Sequence, residues 1–385
     1  MKNITNNLLF RVVIAITLGI LLGNALPESI GRIFSTFNGL FDQLLKFLIP
    51  LIIVGLIVPA IAKLGNSAGK MLLTTVAIAY GSTLFAGFST YFASMSIFPS
   101  LLESQSVNIQ EQSRSLTPYF TLQIPPFFDV MGALVFSFLI GIGLSKLQNS
   151  KLADVSYDFE SIITFIIEKV IIPLLPLFIF GIFLEMTYSG KVMMILNVFI
   201  KIIGVIFALH ILLLLIQYII AGTISKKNPF KLLVTMMPAY FTALGTQSSA
   251  ATIPVTLAQA KKAGVSDEVA SFVVPLCATI HLAGSTLKIV ACVVALMLMQ
   301  GMPIDFGLMA GFICMLGVTM IAAPGVPGGA IMAALGIITS MLGFDAENQA
   351  LMISLYIAMD SFGTACNVTG DGAIAVVVDK LFGRK

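Results

Sequence analysis

The chain has 385 residues, 58% of them hydrophobic and only 10% charged, with a mean hydropathy of +1.03. Soluble domains carry about a quarter charged residues, so this composition belongs to a chain whose solvent is lipid. The net charge of +3 comes without a long basic run, which argues against a nucleic-acid partner.

In chain order, apolar patterning predicts helices near 8–26, 37–62, 71–98, 127–146, 159–186 and 192–224. The first of these superficially resembles a signal peptide. Arg11 abuts its apolar run and many further spans follow, so it is expected to be the first transmembrane helix. Segment 99–125 is the only extended polar connection. The alternating short segments of an outer-membrane barrel are absent, so the expected class is an all-α polytopic membrane protein.

Basic residues give an orientation. With a cytoplasmic N-terminus, the inner segments hold Lys2, Arg11, Lys63, Lys70, Lys146, Lys151, Lys226, Lys227, Lys231, Lys261, Lys262, Lys380, Arg384 and Lys385, against Arg32, Arg114 and Lys191 outside. The expectation is a multi-pass protein of the cell inner (plasma) membrane with both termini cytoplasmic.

That orientation constrains 232–260, which is uncharged and flanked by Lys231 and by Lys261-Lys262. Both ends face the cytoplasm, so it is not a single span. Its centre is rich in small polar residues (Gly245-Thr246-Gln247-Ser248-Ser249) and reaches Pro254. Arms of about 15 residues rise only ~22 Å, short of the ~30 Å of hydrocarbon. A re-entrant hairpin over 228–260 is the economical solution. Segment 306–344 mirrors it: no charge, flanks of Asp305, Asp345 and Glu347, and a centre, Pro324-Gly325-Val326-Pro327-Gly328-Gly329, that no helix can cross. A second hairpin over 303–344, inserted from the opposite face, is expected there. A helix at 268–299 lies between the hairpins and another at 346–380 follows them. The fold expected is therefore eight transmembrane helices plus two oppositely oriented re-entrant hairpins, an inverted-repeat transporter fold. Broken backbone at membrane depth needs a protein-lined cavity, so two meeting tips point to a solute site.

The last helix carries Asp360, Thr364, Asn367 and Asp371 on one face by i, i+3, i+4 spacing. A carboxylate at the bilayer centre costs at least ~2.5 kcal/mol on insertion scales, so four polar groups on one stripe mark a functional face. Helix 268–299 adds Thr279, His281, Ser285 and Lys288. His210, Glu185, Asp129 and the Glu168-Lys169 pair read as interfacial or scaffold groups. The four cysteines form no CxxC pair and read as buried thiols.

These residues resemble the dicarboxylate/amino acid:cation symporter family, the glutamate and neutral-amino-acid transporters. The resemblance runs over essentially the whole length. It is most specific in Asn367-Val368-Thr369-Gly370-Asp371, in Ser248-Ser249 with Thr252 and Ile253-Pro254-Val255-Thr256, and in Gly325-Val326-Pro327-Gly328-Gly329-Ala330. It implies a homotrimer. Residues 1–66 and 126–190 would form a scaffold, 67–98 and 191–385 a mobile transport domain, and 99–125 an external loop. It also implies substrate contacts at Ser248, Ser249, Val326, Gly328, Asp360, Gly363, Thr364 and Asn367, with Asp360 taking the amino group. A coupling cation, sodium, would sit at Asp371 with Asn367, Thr279 and the hydroxyls of Ser82 and Thr83. No cofactor is implied.

Three departures alter what carries over. The family's side-chain-recognising arginine falls at Gly363, which favours a neutral substrate. Its asparagine-methionine-aspartate-glycine-threonine motif reads His281-Leu282-Ala283-Gly284-Ser285, one cation-binding aspartate fewer. Lys288 stands where an uncharged residue is usual. His281 reads either as a proton-coupling group or as a packed, hydrogen-bonded one. Lys288 reads as an internal counter-charge to Asp360 or Asp371, as a replacement for the missing arginine toward an acidic or C4-dicarboxylate substrate, or as a snorkelling residue. A membrane-embedded hydrolase using Ser248 or Ser249 with His281 is the rival class, but no GxSxG elbow accompanies it. A passive channel would need a continuous polar pore.

Overall fold

The computed structural model of the chain describes residues 8–66, 70–102, 116–127, 129–147, 150–190, 192–324 and 327–383. These residues form helices and no strand, in the order α1 (Leu8–Leu22), α2 (Glu28–Asn66), α3 (Lys70–Leu102), α4 (Val130–Ser145), α5 (Lys151–Ile166), a π-helical turn (Ile167–Ile171), α6 (Ile172–Tyr188) and α7 (Val192–Ser225). Then come α8 (Pro229–Thr246), α9 (Ser249–Lys262), α10 (Asp267–Ile280), α11 (Ala283–Met299), α12 (Phe306–Ala322), α13 (Gly329–Leu342), α14 (Ala346–Ala358) and α15 (Asp360–Phe382).

Local chemistry explains most boundaries. Asp129, Asn228, Ser248, Asp305 and Asp345 each accept a backbone N–H in the first turn of the helix that follows, which satisfies an otherwise orphaned donor. Asp129 and Ser248 are therefore caps in this fold. The π-turn sits directly before Pro173 and Pro176. Proline lacks the N–H that an α-helix needs and its ring crowds the carbonyl four residues back, and the wider turn relieves both.

Two of the expected helices are broken. The helix expected at 268–299 ends at Ile280 and restarts at Ala283, with His281 in extended conformation (φ −112°, ψ 96°). The one expected at 346–380 ends at Ala358 and restarts at Asp360, with Met359 at φ −113°, ψ 10°. Side chains hold both breaks, as the site geometry below explains. Smaller corrections concern the start of α2, which extends back to Glu28 rather than 37, and α1, which stops at Leu22 rather than 26.

Among the described residues, six helical stretches are long and apolar enough to cross a bilayer: Glu28–Ala62, Lys70–Leu101, Lys151–Tyr188, Leu196–Ser225, Asp267–Met299 and Asp360–Phe382. By contrast, α8, α9, α12 and α13 have 18, 14, 17 and 14 residues, which at ~1.5 Å per residue gives rods shorter than the ~30 Å apolar layer. They pair as α8 with α9 and α12 with α13. The first pair turns at Gln247, a non-glycine residue in left-handed conformation (φ 54°), and the second pair reaches Gly328 (φ 74°).

The centre of the molecule is α11 and α15. Every residue of α11 from Ala283 to Met297 is buried, and so is nearly all of α15 up to Val378. Helix α15 packs on α7, α8, α9, α10 and α11, while α11 packs along α3. On the other side α2 packs against α4, α5 and α6, and α1 lies along α6. Outward faces carry exposed apolar side chains such as Phe85, Phe92, Leu139, Phe165, Val234 and Phe241, the surface a lipid solvent requires.

Candidate substrate and cation site

Both helix-pair turns come to the start of α15. Asp360 is its first residue and is 5% exposed. Its Oδ2 accepts the backbone N–H of Gly328 at 2.8 Å, and its Oδ1 lies 3.3 Å from Lys288 Nζ. From the other turn, Gln247 Nε2 donates to the Ser361 hydroxyl at 2.7 Å, a buried bond. The Asp360 carboxylate thus joins one turn to α11, and the residue beside it receives the other turn.

Lys288 is fully buried. Its ammonium also lies 3.4 Å from the Met359 carbonyl and 3.6 Å from the centroid of the Tyr356 ring. Anion, carbonyl and aromatic face together replace the water lost on burial. Its place depends on Gly363: a β-carbon there would collide with the lysine's terminal methylene and ammonium.

The break between α10 and α11 is held by Asn367 and His281. Asn367 Oδ1 accepts from Gly284 N at 2.8 Å and from Ser285 N at 3.3 Å, so a side chain of α15 caps the restarted helix. Its Nδ2 donates to Ser285 Oγ at 3.1 Å, which also accepts from Tyr356 Oη at 3.0 Å. Gly284 packs against Cys366 and Gly363, where a β-carbon would clash. At the extended residue, His281 Nδ1 is 2.9 Å from Asp371 Oδ1 and Nε2 is 3.0 Å from Ser82 Oγ. Gln217 of α7 donates to that same hydroxyl at 3.0 Å. A carboxylate only accepts, so with Asp371 ionised Nδ1 carries hydrogen, and in the neutral ring Nε2 accepts from Ser82.

Asp371 Oδ2, Gln217 Oε1 and Thr369 Oγ1 are buried and have no hydrogen-bond partner among the described residues. Gln217 Oε1 lies beside Gly370, the residue between Thr369 and Asp371, since a β-carbon there would meet it and His281 Cε1, each at 2.8 Å. Uncommitted oxygens are the donor type that a hard monovalent cation takes.

The structure brings Asp360, Gly328, Gly363, Lys288 and Asn367 into one network, and Asp371, His281 and Ser82 into a neighbouring one. Ser248 Oγ accepts from Ala251 N and its carbonyl accepts from Thr252 Oγ1. Ser249 and Thr364 are buried. Thr83 lies beside Ser82, but its hydroxyl donates back to the Ala79 carbonyl. Thr279 is not brought in: it bonds the Leu276 carbonyl and lines a separate cavity of about 390 Å³ with Glu160, Thr164 and Pro324. Val326 lies outside the described residues.

Three partners were not anticipated. Gln217 is one of two side-chain amides in the apolar α7, the other being Asn197. Tyr356 falls in a run that reads as ordinary packing. His210, expected to be interfacial or scaffold, is instead 4% exposed with Nε2 3.1 Å from the Gly284 carbonyl. The spacing of His210 and Gln217, two turns apart on α7, is the signal that was available.

Comparison with known proteins gives one family match and many individual relatives. The model of the sodium:dicarboxylate symporter family matches residues 8–381. Serine/threonine transporter SstT of Acinetobacter baumannii is 28% identical, over 97% of this chain and 96% of its own length. Human excitatory amino acid transporter 2 is 27% identical, over 72% of this chain and 49% of its own length.

Proposed function

Since the chain belongs to the sodium:dicarboxylate symporter family, a family of transporters and not of enzymes, we propose that it is a secondary active symporter that moves a small neutral amino acid together with a cation. The observation that carries this reading is the meeting of two short helix-pair turns at the first residues of α15, one on Asp360 and one on Ser361. Asp360 is the carboxylate for the substrate's ammonium, and the turns at 247–249 and around Gly328 supply backbone for its carboxylate. Glycine at 363 provides no guanidinium for an acidic side chain. Serine and threonine, the solutes in the name of the Acinetobacter relative, fit those requirements.

Sodium is the coupling ion we assign, on the family's description and on the uncommitted buried oxygens of Asp371 and Gln217. One negative group fewer than the family pattern, whose aspartate falls at Ala283 while His281 replaces its asparagine, favours a lower cation stoichiometry than relatives that keep the aspartate. Helices α1, α2, α4 and α5–α6 form a scaffold, and the remaining helices form the part that moves. The packing of α2 and α1 among scaffold members, and of α15 among transport members, supports that division. In this reading α1 and α4 complete eight spans with their flanks, and the two helix pairs are re-entrant from opposite faces. The protein is then a homotrimer in the inner (plasma) membrane with both termini inside.

The experiment is uptake into proteoliposomes with a panel of neutral and acidic amino acids under imposed sodium or proton gradients. Sodium-driven accumulation of serine, alanine or threonine is the expected result. Saturable flux that only equilibrates the solute would overturn symport in favour of a channel. The alternative, an acidic or C4-dicarboxylate substrate with Lys288 in place of the missing arginine, is tested by the same panel, in which aspartate or succinate outcompeting serine and alanine would favour it.

A further inference from the structure

A carrier that works by alternating access crosses the membrane twice per cycle, once loaded and once empty. The empty crossing is demanding for a site built on Asp360, because a lone carboxylate in a low-dielectric interior is strongly disfavoured. Here the carboxylate is not alone. Lys288 Nζ stands 3.3 Å from Oδ1, while Oδ2 holds the Gly328 N–H at 2.8 Å. The lysine's place is prepared by Gly363, one turn along α15, where any side chain would run into the lysine's terminal atoms. Tyr356 forms a further wall under the ammonium. A snorkelling lysine would extend its ammonium toward water, whereas this one is fully buried and directed at the substrate carboxylate.

From this geometry we infer that Lys288 is a tethered counter-cation: it neutralises Asp360 when no substrate is bound, keeps the Gly328 turn closed on that carboxylate, and so lets the unloaded carrier return. An entering amino acid is a zwitterion. Its ammonium takes over Asp360 and its carboxylate offsets the released Lys288, so the net charge of the chamber is unchanged. Gly363 then has a second role beyond the absence of a guanidinium, namely room for the lysine. The inference rests on the symporter reading, and the measurement below separates the two.

Purified full-length protein in proteoliposomes is assayed with radiolabelled serine in two modes. Net uptake into serine-free vesicles requires the empty carrier to return, whereas counterflow into serine-loaded vesicles does not. In Lys288→Met Asp360 has no cation when the site is empty, whereas in the loaded site the substrate's ammonium still pairs it. Net uptake is expected to fall about tenfold or more and counterflow by clearly less, because the loaded site keeps the ammonium–Asp360 pair that the empty one lacks. Gly363→Ala, which keeps the charge but pushes the ammonium off Asp360, should give the same split, and it decides the matter if Lys288→Met does not yield folded protein. An equal fall in both modes, the signature of a structural role, overturns the inference, as does an unchanged net rate. Concentrative uptake by the wild type tests the symporter reading independently, so failure of one is distinguishable from failure of the other.

Discussion

His281 and Asp371 stand 2.9 Å apart with both side chains almost fully excluded from solvent, and the histidine occupies the two-residue gap between α10 and α11. The ring's other nitrogen meets Ser82 of α3, so one side chain ties a helix break to two further helices. His281→Ala removes a partner from Asp371 and from Ser82 at once. Each buried polar group left unsatisfied costs about 1–3 kcal/mol. The variant should lose several degrees of thermal stability in detergent and most of its uptake. His281→Gln, whose amide can still donate to Asp371, should recover part of both.

Asn367 acts on the same break from the other side. Its Oδ1 serves Gly284 and Ser285 as a cap supplied from another helix. Asn367→Ala should lower stability by about 0.5–2 kcal/mol, the usual loss when a cap is removed. Asn367→Asp keeps the acceptor but gives up the donor to Ser285, so its stability should lie between Ala and wild type. Thermal unfolding of the three proteins checks the order.

The left-handed turn at Gln247 permits a paired comparison. Gln247→Ala loses the bond to Ser361 and keeps a non-glycine residue at φ 54°. Gln247→Gly loses the same bond but relieves the backbone, an effect of roughly 1–2 kcal/mol. The glycine variant should therefore be the more stable of the two. Both should bind serine more weakly than wild type, because the turn is no longer anchored beside Asp360.

Why these breaks escaped the sequence reading is a matter of where their causes lie. The turns at 247–249 and 324–329 are legible because proline, glycine and small polar residues interrupt an apolar run that is too long for one helix. The breaks at His281–Leu282 and at Met359 have no such local mark. At the first break the Gly284 and Ser285 N–H groups are taken by Asn367, 83 and 82 residues away, and at the second the Met359 carbonyl takes the Lys288 ammonium, 71 residues away. Gln217 escaped for the same reason, since its role follows from α7 lying beside α3 and α15. The stripe Asp360, Asn367 and Asp371 was readable from helical spacing alone, and so was the oddity of Lys288 in an apolar segment. Its fit over Gly363 was not.

That fit yields a specificity prediction. Gly363→Arg by itself places a large side chain where Lys288 already lies, and should abolish transport. Combined with Lys288→Met, the arginine gains the vacated volume and one positive charge is retained near Asp360. The double variant should accept aspartate, with competition against labelled serine improving by about tenfold or more relative to wild type, as a new charged pair permits. Wild type should show serine and alanine outcompeting aspartate. The reverse order in the wild type would sink the neutral-substrate assignment.

The charges at the feet of the two helix pairs predict a membrane orientation. Lys227 bonds the carbonyls of Ala263 and Gly264, so the base of α8–α9 is a closed basic junction followed by Lys261 and Lys262. The base of α12–α13 is acidic instead, with Asp305 and Asp345 as caps. The positive-inside bias predicts that the first base faces the cytoplasm and the second the exterior. The four native cysteines are free and three of them are buried, so a cysteine-less background is a reasonable starting point. Single cysteines at Lys262 and at Asp345 should react with an impermeant maleimide from opposite sides of inverted and right-side-out vesicles. Labelling of both from the same side would mean that the two pairs do not enter the bilayer from opposite faces, and the shared site at Asp360 would then need a different access route.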